Sequence, residues 1–67
     1  MEFLYKLCVH TEYGFVKFEV NTEEEAQLRL DKLTSQKIAI WRADLHILAG
    51  RDRNGNSLIG DLVKRMK

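Results

Sequence analysis

The sequence predicts an α+β domain of order ββαβα: a three-stranded antiparallel sheet, order 2-1-3, with two helices packed on one face. Three observations carry this. Apolar and polar residues alternate with a period of two on both sides of a glycine turn in residues 3–20. A capping box at Thr22 and Glu25 opens a helical period. A further apolar alternation over 38–48 precedes an Asn-Gly turn and a second amphipathic run.

In the first strand Phe3, Tyr5, Leu7 and Val9 alternate with Leu4, Lys6, Cys8 and His10. In the second, Val16, Phe18 and Val20 alternate with Phe15, Lys17 and Glu19. Gly14 supplies the positive φ of a tight hairpin turn. A two-residue turn at Tyr13 and Gly14 sets Val9 opposite Phe18. A four-residue loop sets Val9 opposite Val16 and Lys6 opposite Glu19. Both registers keep the same residues on the core face.

The helix follows. The Thr22 hydroxyl accepts from the Glu25 amide, and the Glu25 carboxylate reaches back to Thr22. Glu23, Glu24 and Glu25 sit at the positive end of the helix dipole, so this acidic run reads as helix chemistry and not as a binding patch. Ala26, Leu30 and Leu33 form the buried stripe, while Leu28 points away among Glu24, Asp31 and Ser35.

In "KIAIWRADLHILAG", Ala39, Trp41, Ala43, Leu45 and Ile47 share one strand face. Ile38, Ile40, Arg42, Asp44, His46 and Leu48 share the other. The strand is long, or broken by a bulge near 42–44, and a helix over 41–48 is the competing reading. "SLIGDLVKRMK" reads as a short helix with Leu58, Ile59, Leu62, Val63 and Met66 on one side. Lys64, Arg65 and Lys67 complement its C-terminus. A right-handed crossover lays the third strand beside the first.

With 67 residues the chain is a single small domain, 1–67, without repeats, linkers or proline. Such a domain buries only ~60% of its unfolded surface, which leaves little volume for a deep pocket beside a core. One cysteine, Cys8, excludes an internal disulfide and fits a reducing compartment. The first ten residues lack a basic start and long apolar run, and no apolar run reaches membrane-spanning length. A cytoplasmic protein without membrane contact is expected. The net charge of +1 divides into −3 over 1–36 and +4 over 37–67, so the domain presents an acidic half and a basic half.

The stretch "AGRDRNGNSLIG" has the glycine spacing of a phosphate-binding loop, from Gly50 to Gly55. Asn56 stands where the lysine that reaches the phosphates belongs, and the chain is too short for the supporting parallel sheet. Asn54 and Gly55 make a turn, and Asn56 or Ser57 caps the last helix. That helix N-terminus, beside Arg51 and Arg53, is a candidate anion site built from Arg51, Arg53, Asn56 and Ser57. Asp52, Asn54 and Asn56 alternate as in a calcium loop, but Ser57 replaces the required glycine and no glutamate closes the loop. Cys8 and His10 share a strand face that His46 reaches if strand three pairs with strand one. Without a compelling fourth ligand or orienting acid they are read as surface and core residues, so no metal, no cofactor and no catalytic residue is expected.

The expected function is that of a small non-enzymatic protein-binding module, regulatory or inhibitory in type. It binds a protein partner or forms a homodimer through an uncovered sheet face. The candidate contact residues are Leu4, Phe15, Leu28, Ile38 and Ile40, since small monomers rarely leave such an apolar patch bare. The alternative is a nucleic-acid-binding module using Arg51, Arg53, Lys64, Arg65 and Lys67. Phe15, Lys6 and Lys17 add a thin stacking surface to that alternative.

Overall fold

A computed structural model describes residues 3–67. The elements are β1 (Tyr5–Thr11), β2 (Gly14–Val20), α1 (Glu23–Ser35), β3 (Ile40–Arg51) and β4 (Ser57–Arg65). They form one four-stranded antiparallel sheet of order β2-β1-β3-β4, with one helix.

This corrects the expected three-stranded sheet with two helices: residues 57–65 are a fourth strand outside β3. The physical reason lies in the segment itself. A helix of about ten residues is marginal in water, and Gly60 in its centre lowers its propensity further. The pairs Leu58–Ile59 and Leu62–Val63 suit a strand as well as a helical stripe. The Asn-Gly turn before them is a hairpin signal that outweighs the helical period.

The β1–β2 hairpin pairs Val9 with Val16 and Lys6 with Glu19. This is the register assigned to the longer loop, but the turn itself is the two residues Glu12 and Tyr13. The Thr11 hydroxyl donates to the Gly14 carbonyl (2.9 Å) and accepts from the Tyr13 amide (3.1 Å). Gly14 has φ +125°, a conformation that glycine adopts without steric cost. At the start of α1 the Thr22 hydroxyl accepts from the Glu25 amide at 3.0 Å, as expected. The Glu25 carboxylate accepts from the Asn21 amide, one residue earlier than expected.

The core lies between α1 and one face of the sheet. Leu7, Val9, Val20, Ala26, Leu30, Ile40, Ala43 and Leu45 are buried in it, with Tyr5, Phe18, Leu33 and Met66 packed at its margin. The phase of β3 is set by a register shift: His10 pairs with Arg42, but Thr11 pairs with Ile40. Trp41 is therefore an extra residue in the ladder. The shift brings Ile40 (7% exposed) onto the same buried side as Ala43 and Leu45, and turns Trp41 (65% exposed) outward.

Candidate interaction surface

The face of the sheet opposite α1 has two different ends. At one end the tip of the β3–β4 hairpin folds back over it. Arg51 at the end of β3 reaches Glu19 on β2 with two hydrogen bonds of 2.9 Å. Lys6 of β1, between them in the sheet, donates its Nζ to the Ser57 carbonyl at 3.0 Å and to the Ser57 hydroxyl. Three register shifts along the β3–β4 ladder permit this bend. Gly60 allows a close backbone approach, since a Cβ there would lie 2.9 Å from the Ile47 carbonyl oxygen.

The bend buries Lys6, whose ammonium is satisfied by Ser57. Hydrogen bonds from Arg51 and then Ser57 hold the Glu19 carboxyl below the usual glutamate range. Cys8 sits in the middle of this face, paired with Lys17 and Asp44. Burial pushes its thiol pKa up, against the opposing pull of Lys17 and Lys6. A raised pKa and a buried sulfur make a poor nucleophile. One oxygen of Asp44 is buried without a hydrogen bond, while the other binds Arg42 Nε at 2.8 Å.

At the other end the face is open. His10, Phe15 and Trp41 come from β1, β2 and β3 and stand in a row. The His10 ring lies 5.5 Å from Phe15 and 5.8 Å from Trp41, centroid to centroid. Lys17 Nζ lies 5.4 Å over the Phe15 ring.

A second exposed surface is β4. It is an edge strand, paired only with β3, and α1 packs over β2 and β3. Leu58, Ile59, Leu62 and Val63 are all exposed along it. Among these strands β4 alone carries four large apolar side chains in the open, so it is the outstanding apolar feature of the described surface.

The five expected contact residues do not share a face. Phe15 is exposed in the aromatic row, and Leu4 is exposed at the opposite end, where its carbonyl accepts from the Leu48 amide at 3.0 Å. Leu28 is exposed on the outer side of α1. Ile38 is half-buried and Ile40 is in the core. The residues that sequence reasoning missed are those of β4. Their signal was present as the Asn54-Gly55 turn followed by β-branched residues, but it was overridden by the helical spacing of Leu58, Leu62 and Met66.

The helix N-terminus on which the candidate anion site was expected is instead the start of strand β4. Arg51 is engaged with Glu19 and the Gly55 carbonyl. Asn56 is the near end of a hairpin loop, its amide donating to Asp52 Oδ1 at 3.0 Å. Ser57 is occupied by Lys6. Arg53 is exposed in the same loop. Of the other basic residues, Lys64 lies 3.6 Å from Glu23 at the start of α1, and Arg65 Nε donates to the Lys67 carbonyl.

Cys8, His10 and His46 do not converge. His10 belongs to the aromatic row and His46 Nδ1 lies 3.2 Å from the Gly60 carbonyl. Among the described residues no group of three or more His, Cys, Asp or Glu side chains is placed to hold a metal. Among the described residues a depression is lined by Phe3, Leu4, Ile47, Leu48, Gly50 and Arg51. Among the described residues no helix is long and apolar enough to cross a membrane. The chain matches no family model, no curated protein and no solved structure.

Proposed function

We propose that the chain is a small non-enzymatic protein-interaction module that works through the β4 edge. The observation that carries this reading is the run of four exposed apolar residues, Leu58, Ile59, Leu62 and Val63, on an edge strand. An edge strand offers a row of unpaired backbone donors and acceptors, and its apolar side chains add the burial that a strand-adding partner needs. Asp61, Lys64 and Arg65 interrupt the strand with charge, which opposes indiscriminate aggregation while leaving the apolar pairs available.

The test is capture of a binding partner, foreign or a second copy, by the tagged protein. Binding is expected to be lost in a Leu58→Lys/Val63→Lys variant whose circular dichroism is unchanged. Binding that persists undiminished in that variant rejects the β4 edge as the contact surface.

A second reading follows from the row of Phe15, His10 and Trp41, with Lys17 and Arg42 on the same face. Aromatic rings on a sheet surface beside cations suit the bases and phosphates of single-stranded nucleic acid. Trp41 is the sole tryptophan, so its fluorescence reports this site directly. Quenching by oligonucleotides that weakens with salt supports this reading; unchanged emission at low salt eliminates it.

A further inference from the structure

We infer that the row of Phe15, His10 and Trp41 holds single-stranded nucleic acid in a proton-coupled way, His10 being the ring that gains charge when a phosphate chain lies on it. The inference rests on the second reading above and names how that site is regulated. Its basis is where His10 stands. His10 is exposed at the centre of the row, with the Phe15 ring 5.5 Å to one side and the Trp41 ring 5.8 Å to the other. The other histidine, His46, lies at the closed end of the face, opposite Lys6, with its Nδ1 3.2 Å from the Gly60 carbonyl.

The charges around His10 suit a phosphate chain. On β3, Arg42 is its direct partner in the ladder, and Asp44, the next residue on that face, is bound to Arg42 at 2.8 Å. On β2, Lys17 follows Phe15 on the same face, its Nζ 5.4 Å over the Phe15 ring. On β4, Arg65 pairs with Asp44. On β1 itself, Lys6 stands at the closed end and is held by Ser57. In the turn beyond His10, the Glu12 carboxylate accepts from the Ala39 amide at 3.3 Å. The acidic run Glu23, Glu24 and Glu25 is on α1, which packs on the opposite face. The row is thus bordered by Lys17, Arg42 and Arg65, and its two neighbouring carboxylates are already engaged. Exposed rings beside these cations add base stacking, which a polyanion without bases does not use.

Imidazole is the side chain whose charge ordinarily changes between about pH 5 and pH 8. A phosphate laid beside an imidazole favours its charged form. Binding and protonation are then reciprocal: the ligand draws a proton onto His10, and a proton on His10 tightens the ligand. Affinity is highest at low pH, where imidazole is charged, and falls as pH rises through the imidazole range. A single such group changes affinity by at most about tenfold per pH unit.

Isothermal titration calorimetry of the intact chain with an oligothymidylate of about 12 nucleotides tests this, since thymine carries no group that titrates in the imidazole range. At constant low salt, affinity is expected to rise roughly 3–10-fold from about pH 8 to about pH 5.5. Heats in buffers of unequal ionisation enthalpy are expected to show proton uptake on binding. His10→Phe keeps a ring in the row but takes up no proton, so the gain in affinity at low pH and the proton uptake are both expected to be lost. Wild-type binding that is independent of pH and takes up no proton overturns the coupling and leaves the nucleic-acid reading standing. A pH dependence unchanged in His10→Phe overturns His10 as the proton acceptor. Equal affinity for poly-glutamate of the same length overturns nucleic acid as the occupant. No binding at low salt removes the second reading together with this inference.

Discussion

Arg51, the last residue of β3, grips the carboxylate of Glu19 on β2 at 2.9 Å through each of two nitrogens, although β1 lies between the two strands in the sheet. That contact and the Lys6–Ser57 hydrogen bonds fasten the β3–β4 hairpin tip over one end of the sheet. The position of the β4 edge, and so of the proposed interface, depends on this fastening.

The clamp is pH-dependent with a defined sign. The folded-state pKa of Glu19 is lowered by its bonds from Arg51 and Ser57. Its contribution is therefore present above the unfolded value, about 4.3, and is lost as pH falls through the lower folded value. A Glu19→Gln variant is expected to melt below wild type at about pH 7, with the difference shrinking to nothing once Glu19 is protonated in both states. Paired thermal melts across this range check it. An identical difference at all pH values removes the charge from the account.

Gly60→Ala distinguishes the strand from the helix that periodicity suggested. In a solvent-exposed helix the change gains up to about 1 kcal/mol. In the observed strand the new methyl meets the Ile47 carbonyl at 2.9 Å and the Ala49 side chain at 3.2 Å. A loss of roughly 1–3 kcal/mol in urea unfolding is expected, because backbone must shift to admit it.

The register shift in β3 makes two neighbouring residues unequal. Ile40→Ala removes a buried core side chain and is expected to cost about 2–5 kcal/mol, enough to unfold much of so small a domain. Trp41→Ala, at an exposed site, is expected to cost under about 1 kcal/mol. Equilibrium unfolding of the two variants checks the phase of the strand.

Cys8 is expected to react slowly with a thiol reagent in the native protein. Burial both shields the sulfur and raises its pKa, so the thiolate fraction is small at neutral pH. Labelling is expected to accelerate at least ~10-fold in denaturing urea. Equal rates in both states contradict the burial of Cys8 in the sheet.

Much was legible before any coordinates. Period-two alternation placed the β1–β2 hairpin, because aromatic and β-branched residues on either side of a glycine turn are a local signal. Thr22 and Glu25 placed the start of α1, because their chemistry is local to a few residues. Ala26, Leu30 and Leu33 on the buried side of the helix, and Leu28 outside it, follow from the same period. The order of the first three strands followed from connection rules.

Residues 57–65 were not legible in the same way. "SLIGDLVKR" satisfies a helical stripe and a bulged strand alike, and the choice belongs to β3, whose open edge gives the segment backbone partners that an isolated short helix lacks. The phase of β3 was likewise decided in three dimensions: an extra residue at Trp41 lets Ile40 enter the core, and no alternation in the sequence marks where a ladder slips. The contacts between Arg51 and Glu19 and between Lys6 and Ser57 join residues 32 and 51 positions apart. Sequence by itself determined the local elements, since capping, turn and periodicity act over a few residues. Only the tertiary structure decided which edges stayed open, because that depends on where distant strands and one bent hairpin come to rest.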